Sequence, residues 1–160
     1  MGGGFALGAK LCKPDHDVWL LWGDGSVGYS VAEFDTFKRH NVPIVALIGN
    51  DACWTQIERE QIPMFGACCC ETVCALPRCS LPHPQRRDVW PGDDVACPLE
   101  YTAYDEVARH YGGDGVMVSD PNEDLQAVLR RAQDAARHGT PMCVNALIGS
   151  SDFRKGSISV

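Results

Sequence analysis

Two short apolar runs, each closed by glycine and an acid, do most to limit what this chain can fold into. Val18-Trp19-Leu20-Leu21-Trp22 ends in Gly23-Asp24-Gly25-Ser26, and Val42 to Ile48 ends in Gly49-Asn50-Asp51. Short continuous apolar runs suit strands buried on both faces, as in a parallel sheet. Between them, Ser30 to His40 reads as a helix. Val31, Phe34 and Phe37 give it an apolar face, and Lys38-Arg39-His40 suit the negative end of its dipole. Asp24 and Asp51 stand 27 positions apart, the length of one strand-helix-strand crossover. Ligands of open α/β sheets bind at the carboxyl ends of the strands. Neighbouring parallel strands would therefore present both carboxylates side by side, with glycine amides and the Ser26 hydroxyl. A few carboxylates beside a phosphate is how Mg²⁺ is commonly held. Two solvated turns account for these clusters equally well; the spacing of the pair is what raises a metal-diphosphate site beside that reading.

The rest of the chain extends the same alternation. Met1 to Leu11 is glycine-rich and then helix-like, and Gly2-Gly3-Gly4 is no dinucleotide fingerprint because no strand precedes it. Trp54 to Gln61 reads as a short helix stopped by Pro63. Tyr104 to Tyr111 reads as a helix ended by Gly112-Gly113, and Gly115 to Ser119 as a strand. Asn122 to His138 carries the clearest helical period, with Leu125, Val128, Leu129 and Ala132 on one face and Gly139 as its stop. Met142 to Ile148 is the last strand. The order predicts an α/β fold, a parallel sheet in a three-layer α/β/α arrangement. Trp19 and Trp22 are expected in the core, and His16, His40, His110 and His138 at the surface.

Length and composition narrow the partners. At 160 residues, 45% of them hydrophobic, the chain is expected to form one globular domain. A net charge of −7 argues against nucleic acid as a partner. Apolar runs of about eight residues are too short to span a membrane, and no signal-peptide pattern opens the chain. Five of the nine cysteines (Cys68, Cys69, Cys70, Cys74, Cys79) crowd one stretch, unlike a disulfide framework spread through a secreted domain. Residues 67–93 have neither helical nor strand period and read as a loop or disordered insertion. With His83 those cysteines could bind Zn²⁺, but no paired C-x₂-C modules support it.

Further residues add a family resemblance. Gly28-Tyr29-Ser30, Glu33-Phe34-Asp35-Thr36, Arg39-His40, Pro43 and Gly49-Asn50-Asp51 are similar to the acetolactate-synthase-like branch of the thiamine diphosphate enzymes. So are Tyr101-Thr102-Ala103-Tyr104 and the ending Asp152 to Val160. The likeness covers about 1–66 and 94–160. It implies that the chain is the C-terminal diphosphate-binding domain of such an enzyme, interrupted at about 67–93. By position, the Asp24 and Asp51 side chains and the Cys53 carbonyl would bind Mg²⁺. Gly23, Gly25 and Ser26 would face the diphosphate, and Asn50 would brace its turn. Trp54 and Thr55 would lie beside the diphosphate at the start of the next helix, whose amides suit an anion. Asp51 departs from the family's usual Asn: a second carboxylate pulls harder on Mg²⁺ but repels the diphosphate.

The resemblance also implies an activity, cleavage of 2-hydroxyacyl-CoA to formyl-CoA and a shortened aldehyde, in a homodimer or homotetramer. The family's activating glutamate sits in a pyrimidine-binding domain outside these residues, so no residue here is given a catalytic role and the chain alone is expected to be inactive. The family protein is expected at the endoplasmic reticulum membrane through an N-terminal segment; without one, this chain would be cytoplasmic. Two other readings stand beside this one: a non-catalytic product that associates with full-length subunits, and a doubly wound nucleotide-binding domain. The sequence also makes one stability prediction. A segment without hydrophobic period cannot offset an ordering entropy of about 1–2 kcal/mol per residue. Deleting 67–93 should therefore leave the thermal midpoint unchanged or raise it. Limited proteolysis of the intact chain should cut first at Arg78, Arg86 or Arg87; loss of folding on deletion, or protection of those arginines by stoichiometric zinc, contradicts this.

Overall fold

The computed structural model describes residues 2–58 and 97–149. The chain divides into two units, Met1–Ala52 with Glu100–Gly149, and Cys53–Leu99 with Ser150–Val160. The expected insertion at 67–93 and the last residues lie outside the described residues.

The first unit is a four-stranded parallel sheet with helices on both faces. In chain order its elements are α1 (Gly2–Cys12), β1 (Trp19–Gly23), α2 (Asp24–Val27), α3 (Glu33–Arg39), β2 (Val45–Asn50), α4 (Tyr104–His110), β3 (Asp114–Val118), α5 (Leu125–Arg137) and β4 (Met142–Leu147). The strand order is β1-β2-β4-β3, so the last strand enters between the second and the third. All pairings are parallel, with Gly23 opposite Gly49, Ile48 opposite Asn145 and Val118 opposite Ala146. Alternation along the strands divides the side chains between the two faces. On one face Leu20, Trp22, Ala46, Ile48 and Cys143 pack with Ala6 of α1, Phe34 and Phe37 of α3, and Tyr104 and Ala108 of α4. On the other, Val45, Met142 and Val144 pack against Val128, Ala132 and Ala136 of α5, with Trp19 partly buried beside them. Phe34 and Phe37 meet edge to face, ring centres 5.6 Å apart, the arrangement that aromatic quadrupoles favour.

Several boundaries differ from the sequence expectation, each for a local reason. The glycine run at the N-terminus is helical throughout. Added Cβ atoms on Gly2 and Gly3 would come within 2.9 Å of the Trp22 and Glu33 side chains, so the small residues let α1 lie close to the sheet and α3. The Gly23-Asp24-Gly25 loop is a single helical turn instead, entered directly from β1. The helix expected from Ser30 begins at Glu33, because 28–32 form turns in which Val31 still reaches the core. Asn122 and Glu123 precede α5 rather than belong to it: Asp124 is its N-cap, its carboxylate accepting from the Ala127 amide at 3.1 Å. Leu125, in the first turn, is 46% exposed; the buried stripe runs through Val128, Ala132 and Ala136. The four histidines are exposed as expected. Among the described residues no helix is long and apolar enough to cross a membrane.

The second unit is described at 53–58 and 97–99. Cys53 and Pro98 form an antiparallel bridge, and the Trp54 amide donates to the Cys97 carbonyl at 2.8 Å. Residues 55–58 are helical, and the Cys53 thiol lies 3.4 Å from a carboxylate oxygen of Glu58.

Two glycines of the first unit should respond oppositely to alanine. A Cβ on exposed Gly4 of α1 meets nothing within 4 Å, so Gly4→Ala should stabilise by about 0.5–1 kcal/mol through helix propensity. A Cβ on Gly115 would stand 2.6 Å from the Asp105 carbonyl oxygen, a backbone clash, so Gly115→Ala should destabilise by about 1–3 kcal/mol. Urea unfolding of both variants measures the two signs.

Candidate functional site

Both acidic clusters emerge at the carboxyl end of the sheet, on adjacent strands. β1 runs into Asp24 and β2 into Asp51, and the register sets Gly23 beside Gly49. Asp24 is 3% exposed, and its Oδ1 accepts from the Gly25 amide at 2.9 Å. Its carbonyl accepts from the Tyr104 hydroxyl at 3.1 Å, which ties the turn after β1 to α4. Burial raises the pKa of that phenol above its usual value, and the nearby Asp24 charge adds to the shift. Ser26 is exposed one residue beyond Gly25. A Cβ on Gly23 would stand in open space among the described residues, so the end of β1 is not closed by neighbouring side chains. Asp51 is half-buried.

Asn50 is the last residue of β2 and is fully buried. Its Oδ1 accepts from the amide of Ala52 at 3.3 Å, and its Nδ2 donates to the Thr102 carbonyl and to Asn145 Oδ1, both at 3.2 Å. Ala52 has a φ of 55°, the left-handed region, which costs a non-glycine residue about 1–2 kcal/mol. A side chain that bonds the backbone two residues on is the device that stabilises such turns. The turn carrying Asp51 is thus held in place by the residue before it.

Asn145 and Asp105 complete the buried polar layer, and the carbonyl of exposed Thr102 borders it. Asn145 on β4 donates to the Thr102 carbonyl at 3.1 Å and to Asp105 Oδ1 at 3.3 Å. Arg109 lies 3.7 Å from the other Asp105 oxygen and also pairs with Glu106 and Asp114 and donates to the Gly115 carbonyl. Thr102 stands in the stretch that carries the family resemblance, whereas Asn145, Asp105 and Arg109 are not among the residues expected at the site. One signal was present: Asn145 interrupts the apolar strand Met142-Cys143-Val144-Asn145-Ala146-Leu147, and a polar side chain at a core position requires partners. Cys143, two residues earlier on the same face, has its thiol pushed up to about 12 by burial, with the Asp105 charge adding to the effect. It is a packing group and not a nucleophile.

The structure therefore brings Gly23, Asp24, Gly25, Ser26, Asn50 and Asp51 to one end of two adjacent strands. Cys53, Trp54 and Thr55 belong to the second unit. What the first unit offers is a set of hard oxygen donors, two of them carboxylates, beside Gly23, where a Cβ would meet none of the described residues. Such a set suits a divalent cation that prefers oxygen.

Comparison with known proteins bears on this arrangement. A family model described as thiamine pyrophosphate enzyme, C-terminal TPP binding domain, matches residues 1–146. The whole chain aligns with 2-hydroxyacyl-CoA lyase 2 of Danio rerio at 46% identity and of Homo sapiens at 48%. Over 94% of its length it is 37% identical to a probable acetolactate synthase of Mycobacterium bovis. The chain spans only 22%, 21% and 22% of the lengths of these three relatives. A solved structure, the thiamine diphosphate-dependent 4-hydroxybenzoylformate decarboxylase of Rhodococcus jostii, is 17% identical and shares the fold with a TM-score of 0.65, over 94% of this chain and 23% of its own. With the family model matched over nearly all of its length, the chain belongs to the thiamine pyrophosphate enzymes and carries their C-terminal TPP-binding domain.

Proposed function

We propose that this domain holds the diphosphate of thiamine diphosphate through Mg²⁺ at Asp24 and Asp51, as part of a lyase that cleaves 2-hydroxyacyl-CoA to formyl-CoA and an aldehyde. The observation that carries the first half is the register of β1 and β2, which sets the two acidic clusters at the same end of adjacent parallel strands. Two carboxylates and a diphosphate supply the oxygen ligands that Mg²⁺ requires. Ser26 offers a hydroxyl, and among the described residues the space beside Gly23 leaves room for the phosphate oxygens. Cys53, Trp54 and Thr55 enter this proposal by resemblance alone. Thiamine diphosphate, when bound, supplies the carbanion chemistry for breaking a carbon–carbon bond. The residues of this chain bind and orient it, and none is given a proton-transfer role.

The choice of lyase rests on this chain's identity to its relatives, 46% and 48% to the 2-hydroxyacyl-CoA lyases against 37% to the acetolactate synthase. Endoplasmic reticulum location and assembly into dimers or tetramers belong to the same proposal.

Calorimetric titration of thiamine diphosphate tests the site. Binding should require Mg²⁺, should be reversed by a chelator, and should weaken at least about tenfold in Asp24→Ala, equivalent to 1.4 kcal/mol or more. Equal binding by both proteins overturns the assignment. A second measurement addresses activity. These 160 residues assayed by themselves, with cofactor and Mg²⁺, should release no formyl-CoA from a 2-hydroxyacyl-CoA, because this proposal gives none of them the role of activating acid. Turnover on the order of 1 s⁻¹, ordinary for an enzyme, would show that a catalytic group lies within them.

A further inference from the structure

We infer that Asn145, on the neighbouring strand, is a positioning residue for the Asp51 turn; its consequence for binding rests on the site proposed above. Asp105 is buried, and its carboxylate is engaged by Arg109 at 3.7 Å. That carboxylate and the Thr102 carbonyl can only accept, so they take the two amide hydrogens of Asn145. The Asn145 carbonyl oxygen is thereby turned toward β2, where it can only accept in its turn. It receives Asn50 Nδ2 at 3.2 Å, and the Thr102 carbonyl receives the other Asn50 hydrogen. With both its hydrogens used on this side, Asn50 must present Oδ1 to the Ala52 amide. A flipped Asn50 would set its oxygen against two acceptors and its amide against a donor. Asn145 therefore selects which way round Asn50 sits, although its own hydrogen bonds go to Asn50, Thr102 and Asp105 and not to the carboxylates of the site. Through Asn50 it holds Ala52 at a φ of 55° and with it the backbone that carries Asp51.

The test compares two substitutions in the full chain. Asn145→Leu keeps the branched outline of the side chain and removes the acceptor that Asn50 uses, along with both donors. Asn145→Asp keeps an oxygen in that place and, when protonated beside Asp105, one donor as well. Amide hydrogen exchange is followed by NMR without cofactor, at Ala52 and, as an internal reference, at Ala46 in the middle of β2. In Asn145→Leu the Ala52 amide should exchange at least about tenfold faster while Ala46 stays protected; in Asn145→Asp both should stay near wild type. Thiamine diphosphate with Mg²⁺ should then bind the Leu variant about tenfold more weakly and the Asp variant nearly normally. Loss of Ala52 protection in both variants, in neither, or together with Ala46 overturns the assignment. Unchanged cofactor affinity despite faster exchange severs the turn from the site. Should Asn145→Leu fail to fold, Asn145→Ser, too short to reach Asn50, is read in the same way. If the wild-type chain itself takes up no cofactor, the site reading fails on its own, and the exchange contrast still decides the role of Asn145.

Discussion

Everything at the candidate site depends on the parallel ladder between β1 and β2. Side chains alternate along a strand, so a slip of one residue would carry every apolar group to the opposite face. Leu20 and Trp22 on β1, with Ala46 and Ile48 on β2, must lie under α1 and α3, and that requirement sets Gly23 beside Gly49. Asp24 comes immediately after Gly23, and Asp51 two residues after Gly49. Core packing thus fixes the relation between two acidic clusters that never need to attract one another. Like charges would in fact resist that approach, and a shared cation would relieve it.

A second constraint runs beneath the site. Asn50, Asn145 and Asp105 are buried in a layer otherwise built of aliphatic and aromatic side chains. An unmet buried amide costs about 1–3 kcal/mol, so such a layer is tolerated only if its members satisfy each other. Both amide hydrogens of each asparagine are used, and each oxygen accepts. A satisfied polar layer has one arrangement where an apolar one would have several. The same low-dielectric surroundings hold the Cys143 thiol neutral.

Much of the fold was legible because its signals are local. The apolar runs 18–22 and 42–48, the period of α5 and the glycines after α4 and α5 each declare an element within a few residues. The differences arise where neighbours override propensity. Glycines poor for a helix are helical in α1 because only a small residue fits against Trp22 and Glu33. Leu125 has the right spacing for a buried face but lies in the first turn of α5, where it is left exposed. The apolar spacing around Ser30 suits a helix, yet the chain is still turning there.

The order of elements, the parallel sheet and the two acidic clusters were determined by the sequence alone, since each rests on residue type and short-range spacing. Only the tertiary structure decided which strands are neighbours and what surrounds Asn50. Asn50 and Asn145 are 95 residues apart and meet only because β4 enters beside β2. The opposing carboxylate of Asp105 comes from a third element, α4. No local pattern encodes that meeting, because hydrogen-bond partners in a buried layer are chosen by strand order and not by distance along the chain.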